Sequence, residues 1–281
     1  TLVINVVNVI ADTFFIHGLW GAPRLGIVGA AWASVASQVA GTLIALVILA
    51  RCYRRYVRWE GLRRVEGGLR RLAATHFHLF GRTACLLFAQ FALLRMAAGF
   101  GEAPLAAHAV LWQIWSLVSY GVDGFAHSAE TLVGNALGRE DFDGARRFAR
   151  RCLGWGAVLG VCCGATFWLT LPFLAGMFTD HVEVVTVASA LTFWLSAPQP
   201  LNGVVFVLDG VLIGANDVRY LFAAMAVVVF AVFVPALWVL SGYNLEGAWM
   251  AYNVLMGARF MFLLLRYLGP RWQRSIVADP I

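Results

Sequence analysis

Asp123, His127 and Glu130 stand one helical turn apart, and Tyr120, Ser116 and Gln113 continue the same stripe toward lower numbers. Titratable groups in that pattern handle protons or ions, and the hydroxyls and the amide add groups that contact a solute. The other faces carry mostly leucine, tryptophan, valine and phenylalanine, so residues 105–140 read as a helix long enough to cross a bilayer. A charged side chain at the bilayer centre costs at least roughly 2.5–3.5 kcal/mol even on the lenient insertion scale, so the stripe faces protein or water rather than lipid. Two readings stay open: an ion or substrate pathway, and a neutral, hydrogen-bonded helix contact. Asp123 lies about 10 Å from Glu130 along the helix axis. Desolvation disfavours the charged form of a carboxyl at that depth, which suits a proton carrier and equally suits a neutral carboxyl bonded to a neighbouring helix.

The elements that position this stripe are all helices. Hydrophobic residues make up 61% of the 281 and charged residues 13%, and the mean hydropathy is +0.77, which excludes a soluble globular domain. Apolar runs predict about eight spans of an all-α polytopic membrane protein, at 1–18, 26–50, 77–99, 105–137, 152–178, 184–213, 220–241 and 247–268. All 21 cationic side chains are arginine, and they collect in alternate connections. Arg51, Arg54, Arg55, Arg58, Arg63, Arg64, Arg70 and Arg71 fill one, Arg139, Arg146, Arg147, Arg150 and Arg151 another, whereas Glu102, Asp180, Glu183 and Glu246 mark arginine-poor ones. That is the positive-inside pattern, and it places the C-terminal tail with Arg271 and Arg274 in the cytoplasm. The pattern accounts for the net charge of +6 without a nucleic-acid partner. Five cysteines without CxxC or His/Cys zinc spacing imply neither a disulfide framework nor a metal site. No GxSxG, HExxH or P-loop is present, so no catalytic residues are assigned and no ATP-driven pump is expected.

Within the spans, depth arithmetic sorts the remaining ionisable groups. Arg82 and Glu130 each lie about 9 Å from the arginine-rich face, so an Arg82–Glu130 ion pair is expected, while Arg95 lies too near the opposite face. Pro198, Pro200 and Gly203 should break the span at 184–213 near the membrane centre, exposing Gln199 and Asn202 to a substrate cavity. Asp209 lies nearer the inner end as a further ion-coupling candidate, Gln90 as a further cavity residue, and Asp217 reads as a loop residue beside Arg219. The segments 26–53 and 244–269 resemble each other, each opening with Gly-Ala and ending in arginine, as in a parallel repeat of about six helices. Between them, residues 51–76 form a basic connector; Leu62, Val65, Leu69 and Leu72 on one face predict an amphipathic helix in the headgroup layer. It reads equally as a hinge or as a solvated loop.

Several stretches resemble the multidrug and toxic compound extrusion family, in particular its DinF-like branch. NVVNVIADTFFIHGL with GIVGAAWASVASQ is similar to the fifth-to-sixth helix motif. GRTACLLFAQFALLRMAA resembles the seventh helix, LAAHAVLWQ with DGFAHSAETLVGNALGRED the eighth, and QPLNGVVFVLDGVLIGANDVRYL the tenth. The resemblance implies a two-lobed, twelve-helix antiporter that exports amphipathic or cationic compounds in exchange for protons or sodium by alternating access. It assigns residues 1–50 to the last two helices of the first lobe, 77–268 to the second lobe and 269–281 to a cytoplasmic tail, with an N-terminal truncation. It further implies a monomer in the bacterial inner membrane that has no cofactor beyond the ion gradient, whose partners are a small-molecule substrate, membrane lipid and the rest of the first lobe. Counted from the LIGAND stretch, the tenth-helix carboxylate of some sodium-coupled members falls at Asn202, and Gln90 is nearest to their seventh-helix acid. Two other readings are weighed: a lipid-linked saccharide flippase of the same superfamily, and a membrane-embedded enzyme using His127 and Asp123 as acid and base.

Overall fold

The computed structural model describes residues 2–17, 25–52 and 66–274. Among these every regular element is helical. They fall into two compact units, Thr1–Leu69 and Arg70–Ile281. In the first, α1 (Leu2–His17) packs along α2 (Gly26–Cys52). Gly29 makes the close approach, because a Cβ there would lie 2.6 Å from the Phe15 carbonyl oxygen.

The second unit holds α3 (Glu66–Ala98, from Arg70 on), α4 (Glu102–Gly138), α5 (Phe142–Phe178), and a broken helix, α6 (Val182–Ala190), α7 (Thr192–Ser196) and α8 (Gln199–Gly214). A hairpin follows: α9 (Val218–Val227), a π-helical segment (Val228–Phe233), α10 (Val234–Val239), a 3-10 turn (Leu240–Tyr243) and α11 (Asn244–Leu268), with α12 (Arg271–Arg274) after it. Pro235 explains the π segment. It lacks an N–H and its ring crowds the carbonyl one turn back, so the helix widens by a residue just before it.

Helix α8 is the centre of this unit, with α4, α5 and α11 all packed against it. Two glycine contacts set the geometry. Gly156, Gly160 and Gly164 of α5 form a small-residue stripe, and a Cβ on Gly156 or Gly164 would stand 2.8 or 2.7 Å from the carbonyl oxygens of Gly203 or Ser196. On the other side Gly210 and Gly214 press on the backbone of α4 at Ala126 and Glu130. These near-backbone contacts fix the depth of α8 against the polar stripe of α4.

Among the described residues, six stretches are long and apolar enough to cross a membrane by length and composition. The sequence reading counted about eight. The difference lies in Val218–Leu268, 51 residues that count once yet turn back at Leu240–Tyr243, and in α1, which has 16 residues. Outward faces carry Leu117, Trp155, Leu169, Phe173 and Trp238, each more than half exposed, as a lipid-facing surface requires. The connector differs more. Its residues 66–76 run without interruption into α3, because nothing between Glu66 and Ala98 stops the helix; residues 53–65, including Leu62 and Val65, lie outside the described part.

Candidate functional site

A cleft of about 380 Å³ opens in the second unit between α3, α4, α8 and α11. The α4 stripe supplies Ser116, Ser119, Tyr120, Asp123, His127 and Glu130; α3 supplies Arg82, Leu86 and Gln90; α8 supplies Phe206, Asp209, Gly210 and Ile213; and α11 supplies Tyr252 and Arg259. Trp112 and Trp115 close its aromatic end, with Trp115 packed edge-on to Tyr252 at 5.5 Å between centroids.

The charged wall of the cleft is a three-residue cluster. Arg82 Nη2 donates to Asp209 Oδ2 at 2.6 Å, and Arg259 Nη2 donates to the same oxygen. The Asp209 side chain is only 7% exposed and that of Arg259 4%, so the cluster sits in a low-dielectric interior where each charge depends on its partners. Arg259 also lies over the Phe206 ring, 5.9 Å from its centroid.

This corrects the expected Arg82–Glu130 pair. Arg82 goes to Asp209, and Glu130 Oε2 instead meets His127 Nδ1 at 3.3 Å near the mouth, where the His127 side chain is 79% exposed. Depth alone matched Arg82 to Glu130, but Gly210 and Gly214 of α8 lie against Ala126 and Glu130, so Asp209 stands more than a turn deeper than Glu130 and is the carboxylate that Arg82 reaches. The second partner is Arg259, fifty residues from Asp209, a buried ionisable candidate to which the sequence alone assigned no partner. The available signal was an arginine inside an apolar span, which demands a carboxylate at matching depth.

Asp123 lies within electrostatic reach of His127, Asp209, Arg82 and Arg259. Among the described residues it forms neither a hydrogen bond nor an ion pair. Tyr120 lines the cleft from a largely exposed position.

Three further candidates fall elsewhere. Gln113 is exposed and outside the cleft lining, since Trp112 takes that level of the helix. The helix is interrupted at Ala197–Pro198 and resumes with Pro200 in the first turn of α8, but the break packs on Gly160 and Gly164 of α5 rather than opening a cavity. Gln199 is therefore buried and donates to the Leu195 carbonyl at 2.9 Å, and Asn202 is buried with Oδ1 unpartnered, both outside the cleft lining. The α8 carboxylate in the cleft is Asp209, not a residue at position 202. Asp217 is no partner of Arg219 but is gripped by Arg266 of α11, whose Nε and Nη2 donate to its two oxygens at 2.6 and 3.0 Å.

An all-helical bundle with a lipid-facing exterior and a charged cleft inside it defines a polytopic membrane protein. The family model described as MatE matches residues 79–239, more than half of the chain, and the chain belongs to that family. It is 32% identical over 263 residues to Protein DETOXIFICATION 43 of Arabidopsis thaliana, covering 92% of this chain and 48% of that protein. It is 26% identical over 262 residues to the DNA damage-inducible protein F of Escherichia coli strain K12, covering 92% of this chain and 56% of that protein. In fold it is similar to the crystal structure of a mutant of the Vibrio cholerae MATE transporter VcmN. The TM-score is 0.81 at 20% identity, over 99% of this chain and 62% of that chain. The chain thus spans about half the length of the curated relatives it matches.

Proposed function

We propose that the chain belongs to a secondary active exporter that moves amphipathic or cationic compounds out of the cell in exchange for protons, or sodium, by alternating access. Asp123 carries this reading. Of the three carboxylates lining the cleft, Asp209 is held by two guanidiniums and Glu130 meets His127, while Asp123 has no such partner among the described residues. A carboxyl left free in a cleft can choose between a proton and a cationic cargo: ionised it attracts the cargo, protonated it releases it. The charge count agrees. With His127 neutral, two arginines and three carboxylates leave one negative charge on the cleft, and protonating Asp123 removes it. The faces of Trp112, Trp115 and Tyr252 suit a flat apolar or cationic body.

On this reading residues 77–268 are the second six-helix lobe, working against a first lobe to which residues 1–50 belong, in a bacterial inner membrane with the C-terminus in the cytoplasm. The likeness to a solved MATE transporter and the name of the Arabidopsis relative support export. One observation favours a second reading: two guanidiniums reach the cleft wall, which suits an anionic cargo, including a lipid-linked saccharide headgroup. The test is efflux from cells expressing the full-length protein, with pH and sodium gradients imposed separately and ethidium compared with an organic anion of similar size. Wild-type cells should expel ethidium along the proton gradient, and Asp123→Asn at normal membrane levels should abolish it. Ethidium efflux untouched by Asp123→Asn rejects Asp123 as the coupling group, and efflux of the anion alone establishes the second reading.

A further inference from the structure

The outward side of α5 changes character in layers along its length. Gly156, Gly160 and Gly164 turn one face of this helix toward α7 and α8. On the opposite face, within about 80° of arc at 100° per residue, stand Arg147, Arg151, Trp155, Val158, Leu169 and Phe173. Both arginines are exposed, Trp155 is 62% and Val158 52% exposed, and the face stays as open at Leu169 and Phe173. Asp141 and Asp143 precede the arginines, and Asp141 Oδ1 caps the helix by accepting from Gly144 N at 2.7 Å. From that end the order is carboxylate, guanidinium, indole, aliphatic. Water, headgroups, interface and acyl chains follow one another in the same order across half a bilayer.

The two arginines of this face are open to a phosphate. Arg147 Nη2 lies 3.9 Å from Asp141 Oδ2, with 62% and 50% of the two side chains exposed, a pair weak enough for a phosphate to replace. Among the described residues Arg151 forms no ion pair. Arg146 and Arg150 leave the helix on another side, within electrostatic reach of Tyr267 of α11. Residues 139–151 carry five arginines against three carboxylates, Glu140, Asp141 and Asp143, so the positive charge is in excess. Side chains four residues apart on a helix have Cβ atoms about 6 Å apart, so the forks of Arg147 and Arg151 can close on one phosphate.

We propose that this face of α5 holds an anionic phospholipid of the leaflet at its arginine-rich end, with the phosphate on Arg147 and Arg151 and an acyl chain along Trp155 and Val158. Charge selects the occupant. A zwitterionic headgroup brings a cation of its own to the arginines, whereas phosphatidylglycerol carries one net negative charge and does not. Free phosphate would meet the same guanidiniums and gain nothing from the indole and the valine, so the apolar half of the face selects a lipid over a soluble anion. No residue of α5 lines the cleft, and the site stands apart from the reading of Asp123.

The test uses the full-length protein without native cysteines, carrying a coumarin maleimide on Val158→Cys, two turns or about 10 Å further along α5 than Arg151. In phosphatidylcholine vesicles, quenching by phosphatidylglycerol brominated at mid-chain reports the lipid beside the label, and brominated phosphatidylcholine gives the reference. Phosphatidylglycerol should be preferred about tenfold, and Arg147→Gln combined with Arg151→Gln should bring the two lipids to parity. Arg139→Gln combined with Arg146→Gln removes the same charge from the same end of the helix and should leave most of the preference. Absence of a preference before the arginines are changed overturns the site. Equal falls in the two charge-matched pairs overturn it as well, because they show only the diffuse field of a basic connection. Loss of the preference on adding inorganic phosphate at constant ionic strength assigns the arginines to a free anion and overturns the lipid.

Discussion

Asp209 is the residue on which most of the cleft's electrostatics turns. Both Arg82 and Arg259 converge on one of its oxygens, so removing the carboxyl strands two guanidiniums in a dry interior. Breaking a buried pair from one side costs about 3–5 kcal/mol, whereas replacing both partners with apolar groups is far milder. Asp209→Ala should therefore lower the melting temperature in detergent sharply, and adding Arg259→Met should recover part of the loss. Glu130→Gln should behave differently. Its partner His127 is near the mouth and largely exposed, and such a pair contributes about 0–1 kcal/mol, so the melting temperature should hardly move. Equal losses in Asp209→Ala and Glu130→Gln would mean that Arg82 depends on both carboxylates.

At the scale of elements, the cleft exists because α8 lies against α4 at backbone distance. A Cβ on Gly210 or Gly214 would enter the backbone of Ala126 or Glu130, so any larger side chain must push the helices apart. Gly214→Leu should cost at least about 1–3 kcal/mol of stability and move Asp209 away from Asp123. Gly121 on the same helix α4 meets nothing within 4 Å, and Gly121→Ala should be neutral or slightly stabilising. A thermal melt of both variants checks this, and equal effects would show that the close approach at Gly214 relaxes without cost.

For the whole molecule the sharpest expectation concerns direction. Arg147 and Asp180 are exposed at opposite ends of α5, the first in the arginine-rich connection and the second in an acidic one. In intact cells, on a background without native cysteines, a membrane-impermeant maleimide should label Asp180→Cys and leave Arg147→Cys unlabelled until the cells are opened. The reverse result would invert the topology.

Helix identity, membrane class and the polar stripe from Ser116 to Glu130 were set by the sequence itself, because apolar run length and a period of 3.6 are local properties of the chain. The break at Pro198 was local in the same sense. What the break does was not. Whether Gln199 and Asn202 face a cavity or a neighbour depends on Gly160 and Gly164 of α5, some forty residues away, which let that backbone come close enough to cover them. The partner of Arg82 was equally nonlocal. Depth counted from the helix ends pointed to Glu130, and only the packing of α3, α4, α8 and α11 put Asp209 within reach, since a Coulomb interaction at low dielectric rewards the nearest opposite charge and depth is one coordinate of three.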